Sequence, residues 1–295
     1  DQDDTFVPIG LYYIGALLIE NGYQVQIINL AELKDNSQQI FEQTSKDFKP
    51  DIIGFSVVAP NRWHAIDCAR TAKQIDPRTK IVFGGPAPTF MADFFFEACP
   101  EIDYIVNGEG ELTFLELAEF LHRPGKKRQH HIHGICFKTG TKLVCTPPRS
   151  PVRDLDSLPH PASYFTFQHV AMSRGCPGNC TFCGSPGFWG ARSVRLHSAD
   201  WFDEELTLLA KKGVRHFYFS DDTFTMDKKK VLTLCSRISE KKLDITWNAI
   251  SRVDFIDQDI LSAMREAGCI QISFGVESGS EKIRKVLGKP VDQEK

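Results

Sequence analysis

Three cysteines, Cys176, Cys180 and Cys183, lie close together in the sequence Ser-Arg-Gly-Cys-Pro-Gly-Asn-Cys-Thr-Phe-Cys. This Cys-x3-Cys-x2-Cys spacing supplies three thiolates, the ligands that hold iron-sulfur clusters in proteins. A four-iron cluster held by three thiolates keeps one iron open for a ligand from outside the protein. Zinc sites are more typically built from two separated Cys pairs or from Cys plus His, and no second pair stands at that spacing. We therefore predict a 4Fe-4S cluster with one open iron at this loop.

The cysteine run, with the aromatic Phe182 just before its last Cys, resembles the signature of radical S-adenosylmethionine (radical SAM) enzymes. The resemblance implies that the open iron chelates the amino and carboxylate groups of SAM. It also implies that reduction of the cluster breaks the bond to C5′ of the adenosyl group and releases a 5′-deoxyadenosyl radical. No protein side chain performs this step unaided, so the cofactors carry the chemistry and the fold positions them.

The composition of the 295-residue chain indicates a cytoplasmic enzyme of about two domains. A net charge of −3 gives no basic footprint for nucleic acid, and the longest apolar stretches, 11–19 and 52–60, are too short to span a bilayer. Because cluster thiolates need a reducing compartment, we predict that the other six cysteines are free, small apolar residues rather than disulfides. These six are Cys68, Cys99, Cys136, Cys145, Cys235 and Cys269.

Strand and helix patterns alternate in the first half of the chain. Val-rich and Ile-rich runs predict buried parallel strands at 25–30, 51–58, 80–84 and 103–106. Helical patterns occur at 11–21, 33–47, 62–75, 90–98 and 112–121. This alternation predicts a Rossmann-like, doubly wound α/β domain over residues 1–121, with ligands at the carboxyl ends of the strands. Such a domain needs a strand before its first helix, which the polar residues 1–8 cannot supply. We therefore expect the native protein to start upstream of Asp1.

The same half resembles the cobalamin-binding domain. The matching positions are Gly10 with the helix after it, Gly54-Phe55-Ser56, Gly84-Gly85-Pro86 and Asn107-Gly108-Glu109-Gly110-Glu111. The resemblance implies that the nucleotide tail of cobalamin enters the sheet near these strand ends. Glycines there let a bulky ligand approach the backbone, and a Ser hydroxyl can bond a polar tail. The cobalamin-binding candidates are Gly10, Ser56, Asn61, Gly84, Gly85, Pro86, Gly108 and Glu109.

One departure from that pattern concerns the lower ligand of cobalt. Cobalamin domains that ligate cobalt from below carry Asp-x-His-x-x-Gly, and this chain has Thr5 and Val7 at the Asp and His positions. It therefore resembles the branch without a lower His, which is also the branch fused to radical SAM domains. His64 follows the strand 51–58 and either approaches cobalt or faces solvent from the first turn of a helix.

Residues 122–165 are predicted to connect the two domains. The runs 132–137 and 142–145 flank Thr139-Gly140 and predict a β-hairpin. The passage Leu158-Pro-His-Pro-Ala then marks a rigid boundary. Hairpin and boundary resemble the joint of cobalamin-dependent radical SAM proteins.

Alternation resumes in the second half, residues 166–295. Strands are predicted at 170–173, 215–220, 245–251 and 270–276, and helices at 200–212, 227–242, 257–267 and 280–287. Parallel strands joined by helical crossovers can curl into a barrel whose site lies at the carboxyl ends of the strands. The radical SAM core has six such units in the family. We therefore expect a partial (β/α) barrel that is truncated after about four units.

The predicted strand ends on this rim carry the remaining candidates for SAM binding. Asp221 and Asp222 end the second strand, where the family contacts the SAM amino group, and Arg252 ends the third, where a cation can pair with the SAM carboxylate. The fourth strand end resembles the strand whose polar groups hold the ribose. Together with Phe182, the SAM-binding candidates are Asp221, Asp222, Arg252, Ser273, Glu277 and Ser278.

The two resemblances together imply a cobalamin-dependent radical SAM enzyme that methylates an unactivated carbon of a small-molecule substrate. One SAM would be the radical source and another would remethylate reduced cobalamin, with electrons from an external donor of the flavodoxin or ferredoxin type. Two alternatives stay open. One is radical ring closure or rearrangement with the same cofactors, and the other is a cobalamin and iron-sulfur sensor or electron carrier without turnover.

Overall fold

A computed structural model of the protein describes residues 8–123 and 129–289. The chain divides into two units, residues 1–151 and 152–295, and each is described by itself. Thr5 and Val7, which bear on the lower ligand of cobalt, lie outside the described residues. Within the described parts, no helix combines the length and the apolar character needed to cross a membrane.

The first unit is built on a five-stranded sheet whose spatial order follows the sequence. Its strands are β1 (Ile52–Ser56), β2 (Lys80–Gly84), β3 (Tyr104–Val106), β4 (Ile135–Thr139) and β5 (Lys142–Cys145). The first three are parallel, whereas β4 and β5 form the predicted hairpin and continue the sheet antiparallel beside β3. The α-helices are α1 (Ile9–Glu20), α2 (Ser37–Phe48), α3 (Arg62–Ile75), α4 (Pro86–Phe90), α5 (Ala92–Ala98) and α6 (Glu111–His122).

The core of this unit forms where α3 and α5 pack on the sheet. Ile66 of α3 and Phe95 of α5 are fully buried in one cluster with Ile81 and Phe83 of β2. Each Å² of apolar surface that folding removes from water stabilises the folded state by about 25 cal/mol. This packing holds β1, β2 and β3 in register, so that their carboxyl ends meet at one edge.

The predicted strand at 25–30 was wrong. Residues 23–29 have no strand structure, and Leu30–Asn36 forms a 3-10 helix that leads into α2. Among the described residues, β1 lies at the edge of the sheet. An apolar run becomes a strand only when a neighbour supplies the ladder of hydrogen bonds, and residues 23–29 have no such neighbour there.

The prediction that six cysteines are free was wrong for two of them. Cys136 and Cys145 form a disulfide. They are direct partners in the antiparallel register of β4 and β5, and directly opposed side chains lie on the same face of a sheet within bonding reach. The prediction rested on the compartment and did not use the hairpin register. The remaining four are free and buried, as predicted: Cys68, Cys99, Cys235 and Cys269.

The second unit contains a parallel sheet with the order β6-β9-β10-β11 and an antiparallel pair, β7 with β8. The strands are β6 (His169–Val170), β7 (Ser173–Arg174), β8 (Arg195–Leu196), β9 (His216–Phe219), β10 (Thr246–Ser251) and β11 (Cys269–Phe274). The helices are α7 (Ser185–Phe188), α8 (Ala199–Lys211), α9 (Lys228–Glu240), α10 (Gln258–Glu266) and α11 (Glu281–Val286). Four parallel strands joined through helices confirm the predicted partial barrel, and the described residues form no closed one.

The long helices of this unit begin at side-chain caps. Ser198 accepts a hydrogen bond from the backbone N–H of Trp201 at the start of α8. Asp227 and Asp257 accept from the third residues of α9 and α10 in the same way. Because the first turn of a helix has N–H groups without partners, such caps decide where a helix begins.

Aromatic side chains fill the space between this sheet and its helices. Phe217 and Phe219 of β9 and Trp247 of β10 are buried. The rings of Phe219 and Trp247 stack with their centroids 4.4 Å apart. Side chains alternate along a strand, so the residues between these aromatics point to the opposite face.

Candidate functional site

The cluster loop, residues 175–184, runs directly from the end of β7. Gly175 has a φ of +97°, and a Cβ at this position would clash with the carbonyl oxygen of Ser193. Gly288 has a φ of +67°, and its Cα faces the loop so closely that a Cβ would clash with the Asn179 carbonyl. Only glycine fits such positions. The loop thus packs between the residues just before β8 on one side and those just after α11 on the other.

The thiols of Cys176 and Cys180 flank one point beside Gly178. A Cβ on Gly178 would lie 3.3 Å from Cys176 Sγ and 3.8 Å from Cys180 Sγ. The N–H of Gly178 donates to Cys176 Sγ at 3.4 Å, and the N–H of Ser185 donates to Cys183 Sγ at 3.5 Å. Hydrogen bonds to sulfur tune iron-sulfur clusters. A space kept open by glycine, with sulfur on two sides and backbone donors, fits the predicted cluster.

The third thiol, on Cys183, is exposed. Among the described residues, no three His, Cys, Asp or Glu groups are arranged around one ion. A cluster site does not need such an arrangement, because each of its cysteines binds a different iron.

Asp221 follows β9 and holds the chain that enters the cluster loop. It is 2% exposed, and its carboxylate accepts from the N–H of Ser173 at 2.6 Å, from the Ser173 hydroxyl, and from the N–H of Met172 at 3.2 Å. Burial raises the pKa of Asp221 to about 6, against the lowering effect of these hydrogen bonds. Asp221, predicted from its place at a strand end to bind SAM, has its carboxylate hydrogen-bonded to residues 172 and 173.

The neighbouring Asp222 holds the chain that leaves the loop. Asp222 is exposed, and its Oδ2 accepts from Ser185 Oγ at 2.6 Å and from Trp189 Nε1 at 3.0 Å. The next residue, Thr223, has its Oγ1 3.7 Å from Cys176 Sγ. Three consecutive residues thus contact the entrance of the loop, its exit and its first thiol. The sequence analysis did not identify Ser185 and Thr223, since partners far apart in the chain leave no local signal.

Arg252 directly follows β10 and faces the thiols of the loop. Its Nη1 lies 4.0 Å from Cys180 Sγ. Asp254 accepts from the other two nitrogens, Nε at 2.9 Å and Nη2 at 2.7 Å. The Asp254 carboxylate holds the pKa of Arg252 above its usual value, with smaller contributions from Cys180 and Cys176. Asp254, which the sequence analysis missed, therefore orients the guanidinium with Nη1 toward the loop.

The remaining SAM-binding candidates lie at the same edge of the sheet or in the loop itself. Ser273 is exposed on β11. Glu277 has a φ of +66°, and its Oε1 accepts from Lys289 Nζ at 2.9 Å. Ser278 Oγ accepts from the N–H of Ser280, just before α11. Phe182, inside the cluster loop, is 55% exposed.

In the first unit, the predicted cobalamin positions converge at the ends of β1 and β2. Ser56 is the direct partner of Gly84. Gly85 has a φ of +94°, and a Cβ there would stand 2.8 Å from the Val57 carbonyl oxygen and 3.5 Å from Ser56 Oγ. Pro86 then begins α4. A side chain at residue 85 would therefore collide with β1, which explains the glycine that the sequence analysis selected.

Thr89 connects the ends of β2 and β3, although the sequence analysis did not select it. Its hydroxyl donates to the Gly85 carbonyl at 2.8 Å and accepts from the N–H of Gly108 at 3.0 Å. Gly108 has a φ of +68°, and the following Glu109 is half-buried. The strand ends that carry the predicted site are thus joined by one hydroxyl.

Asn61 closes the loop after β1. Its Oδ1 accepts from the N–H of Val58 at 2.9 Å, and its Nδ2 donates to the Ser56 carbonyl at 3.3 Å. Gly10 lies in the first turn of α1 with open space around its Cα. His64 Nε2 lies 3.4 Å from Ser37 Oγ, which holds the imidazole beside α2. Large apolar side chains stand exposed in the segments that follow β1 and β2: Trp63, Phe90 and Met91.

Comparison with known proteins assigns both halves of the chain. Residues 3–118 match the family model of the B12 binding domain, and residues 170–295 match that of the Radical SAM superfamily. The chain therefore belongs to the B12-binding radical SAM proteins. This assignment confirms the predicted cofactors, which are cobalamin, SAM and a 4Fe-4S cluster.

Individual relatives include both methyltransferases and cyclases. The uncharacterized methyltransferase PH0819 of Pyrococcus horikoshii is 37% identical over 97% of this chain and 64% of that protein. The anaerobic magnesium-protoporphyrin IX monomethyl ester cyclase of Rubrivivax gelatinosus is 28% identical over 93% of this chain and 52% of that protein.

The fold is also similar to that of the radical SAM methyltransferase TsrM from Kitasatospora setae, whose structure holds tryptophan and a SAM analogue. The TM-score is 0.81 at 16% sequence identity, over 98% of this chain and 61% of that one. The chain thus spans between 52% and 64% of the length of these three proteins.

Proposed function

We propose that this protein is a cobalamin-dependent radical SAM methyltransferase that methylates an unactivated carbon of a small-molecule substrate. The observation that supports the proposal most directly is the cysteine loop, held at both ends by Asp221 and Asp222 and faced by Arg252. When bound, the cluster supplies the electron that cleaves SAM to a 5′-deoxyadenosyl radical, and cobalamin supplies a methyl group. The methyltransferase names of PH0819 and TsrM support the reaction class.

Arg252 is proposed to bind the carboxylate of SAM beside the loop. Asp254 occupies Nε and Nη2 in a bidentate pair, so the guanidinium plane is fixed before SAM arrives. Nη1 remains directed at the thiol edge, where a carboxylate bound beside the open iron would lie. Hydrogen bonds between two charged groups are about twice as strong as neutral ones, so this contact would contribute to both affinity and orientation.

The two aspartates are proposed to divide the role that the sequence analysis gave to both. Asp221 is buried and positions the chain that enters the loop. Asp222 is exposed and uses Oδ2 for both of its loop contacts. We propose that Asp222 receives the SAM amino group. The exposed Phe182 and the polar groups Ser273, Glu277 and Ser278 are proposed to line the adenosine.

In the first unit, the ends of β1, β2 and β3 are proposed to hold the tail of cobalamin. Gly85 packs against Val57 and Ser56 too closely for a side chain, and Thr89 keeps the β2 and β3 ends together, so these strand ends form one compact edge for the proposed ligand. Asn61, Gly84, Pro86, Gly108 and Glu109 belong to the same loops, and Gly10 is proposed to border the site from α1. The exposed Trp63 and Met91 offer apolar surface of the kind that a large flat ligand covers.

The test uses the full-length protein, reconstituted anaerobically with iron, sulfide and cobalamin. With SAM and a chemical reductant, we expect 5′-deoxyadenosine to form. Replacing Cys176, Cys180 or Cys183 by Ala should abolish both the cluster and this product, whereas Cys235→Ala, which changes a buried thiol of α9, should preserve both. Full cluster incorporation after two of the loop cysteines are replaced would contradict the assignment. A loaded protein that never cleaves SAM would favour the sensor or electron carrier.

A second candidate function is radical ring closure with the same cofactors. The similarity to the cyclase of Rubrivivax gelatinosus supports it. Methylcobalamin consumption separates the two reactions, since methyl transfer uses one methyl group for each product and ring closure uses none. An external flavodoxin-type or ferredoxin-type electron donor and a cytoplasmic location remain predictions that rest on the need of the cluster for reduction.

A further inference from the structure

Four polar side chains stand in one row across the parallel sheet of the second unit. His169 of β6 is the direct partner of Tyr218 of β9, Tyr218 is the partner of Asn248 of β10, and Asn248 is the partner of Gln271 of β11. Directly paired residues of neighbouring strands point to the same side of a sheet. We call these four residues the inner row.

The inner row faces away from the helices. Tyr218 and Asn248 are half-buried, Gln271 is exposed, and the ring of His169 stacks on that of Tyr218 at 4.6 Å. Strand side chains alternate between the two faces. The residues next to His169, Tyr218 and Asn248 in sequence include buried core residues: Val170, Phe217, Phe219, Trp247 and Ala249.

The face that carries the inner row is polar but has no carboxylate, ammonium or guanidinium group on its described strands. The imidazole of His169 lies 3.0 Å from the Ser220 hydroxyl, and that of His216 lies 2.8 Å from the Thr246 hydroxyl. Other residues that alternation puts on this face are Ile250 and Ser273, which are direct partners. Because a phosphate or carboxylate group needs a nearby cation or several donors, this face suits neutral polar groups better than anions.

Asn248 contributes an acceptor that nothing in the described protein uses. Its Oδ1 is buried and has no hydrogen-bond partner among the described residues. Buried polar atoms are nearly always paired, because an unpaired one loses its bonds to water without replacement. A ligand that donates an N–H or O–H to this oxygen would restore the missing bond.

We propose that the inner row binds the organic substrate through a neutral polar group with an N–H or O–H donor, such as a carboxamide, a hydroxyl or a lactam-type heterocycle. This assignment rests on the proposed function, because it places the substrate beneath the strand ends that would bind SAM. Asp222 follows Tyr218 by four residues and Arg252 follows Asn248 by four, or roughly 13 Å at about 3.3 Å per residue of extended chain. A substrate anchored on the row by one end can therefore extend along the strands and present a carbon near the rim that carries Asp222 and Arg252.

Three matched probes test the chemistry: benzamide, a neutral donor; benzoate, its anionic counterpart; and acetophenone, which has the carbonyl but no donor. Their binding to the full-length cobalamin-loaded and cluster-loaded protein is measured by ligand-observed NMR titration. We expect benzamide to bind at least about five-fold more tightly than either of the others, as one hydrogen bond predicts. Preference for benzoate would instead identify an anion site. Equal binding of all three probes would show that the Asn248 acceptor does not recognise a donor. Either result overturns the proposal.

Substitutions at Asn248 keep the test decisive. Asn248→Leu, nearly equal in size, should remove the preference for benzamide, whereas Gln258→Leu, which removes an exposed amide from α10, should retain it. Asn248→Asp should create a preference of about ten-fold for the benzamidinium cation over benzamide. Because misfolding cannot produce a gained preference, its absence in a protein that still cleaves SAM would overturn the assignment.

Competition with SAM separates this inference from the proposed function. Benzamide should bind equally well when SAM is saturating, and displacement by SAM would assign the row to the adenosine and refute a substrate site. A wild-type protein that shows the benzamide preference but forms no 5′-deoxyadenosine would reject the proposed function and leave the binding row in place. The opposite pattern, SAM cleavage without any preference among the probes, would reject only the row.

Discussion

Asp221→Asn tests the buried carboxyl that holds the entrance of the cluster loop. Burial raises the pKa of Asp221 from 3.8 to about 6 in the folded protein. Because the folded pKa lies above the unfolded one, the folded state binds more protons between these two values. The free energy of unfolding therefore falls as the pH rises through this window, and the contribution of the carboxyl is most favourable below it. Asparagine does not titrate and removes this dependence.

The expected size of the effect follows from the shift. The change in the pKa of Asp221 from 3.8 to about 6 corresponds to about 3 kcal/mol of unfolding free energy. Roughly 1 kcal/mol of this stability returns as the pH falls from about 7 to about 5. The unfolding free energy of the wild type minus that of Asp221→Asn should be larger by this amount at the lower pH. Other titrating groups occur in both proteins and cancel in the difference.

The assay is urea unfolding of the full-length, cluster-free protein under reducing conditions, followed by tryptophan fluorescence, to which the buried Trp201 and Trp247 contribute. Gln258→Leu is the control, because this exposed amide of α10 does not titrate and its difference from the wild type should stay nearly constant with pH. A difference for Asp221→Asn that is equally constant, or that shrinks as the pH falls, would refute the argument from burial.

Three further predictions concern backbone, pH and cobalt. Gly85→Ala should cost about 1–3 kcal/mol of unfolding free energy and reduce cobalamin retention measured by absorbance, since its φ is +94° and its Cβ would press on the Val57 backbone, whereas Gly10→Ala, in open space, should not lower the unfolding free energy. Burial holds the pKa of His197 well below its usual value, so the folded protein should lose about 1.4 kcal/mol per pH unit below about 6.5; denaturant titrations of His197→Gln should show a smaller loss, and equal losses would contradict the burial. Because Val7 stands where a lower His would be, bound cob(II)alamin should show no nitrogen splitting from a protein imidazole in its electron paramagnetic resonance spectrum; splitting that disappears in His64→Ala would reverse this prediction.

Features encoded within a few residues could be predicted from the sequence. The spacing of Cys176, Cys180 and Cys183 was enough to predict a cluster loop, because ligands from one short loop need no distant partner. The helix 62–75 and the strand 80–84 form where periodicity and β-branched content predicted them. Gly85 was selected as a position where a ligand approaches the backbone, which stays a prediction; its φ of +94° gives glycine a conformational reason as well.

Features that depend on partners far apart in the chain were decided by the tertiary structure. The apolar run at 25–30 had a strand pattern, but no neighbouring strand pairs with it among the described residues. Cys136 and Cys145 meet because the hairpin register places them opposite each other. Register is a property of two strands, so neither cysteine carries a signal of it alone.

The sequence by itself indicated the class of the protein and predicted a cluster loop and the strand ends that contribute to its site. Only the tertiary structure separated the buried Asp221 from the exposed Asp222, gave Arg252 its partner Asp254, and aligned Asn248 with Tyr218 across two strands. The physical reason is range. Periodicity and ligand spacing act over a few neighbouring residues, whereas burial, hydrogen-bond partners and the facing of side chains across a sheet exist only after distant segments have packed together.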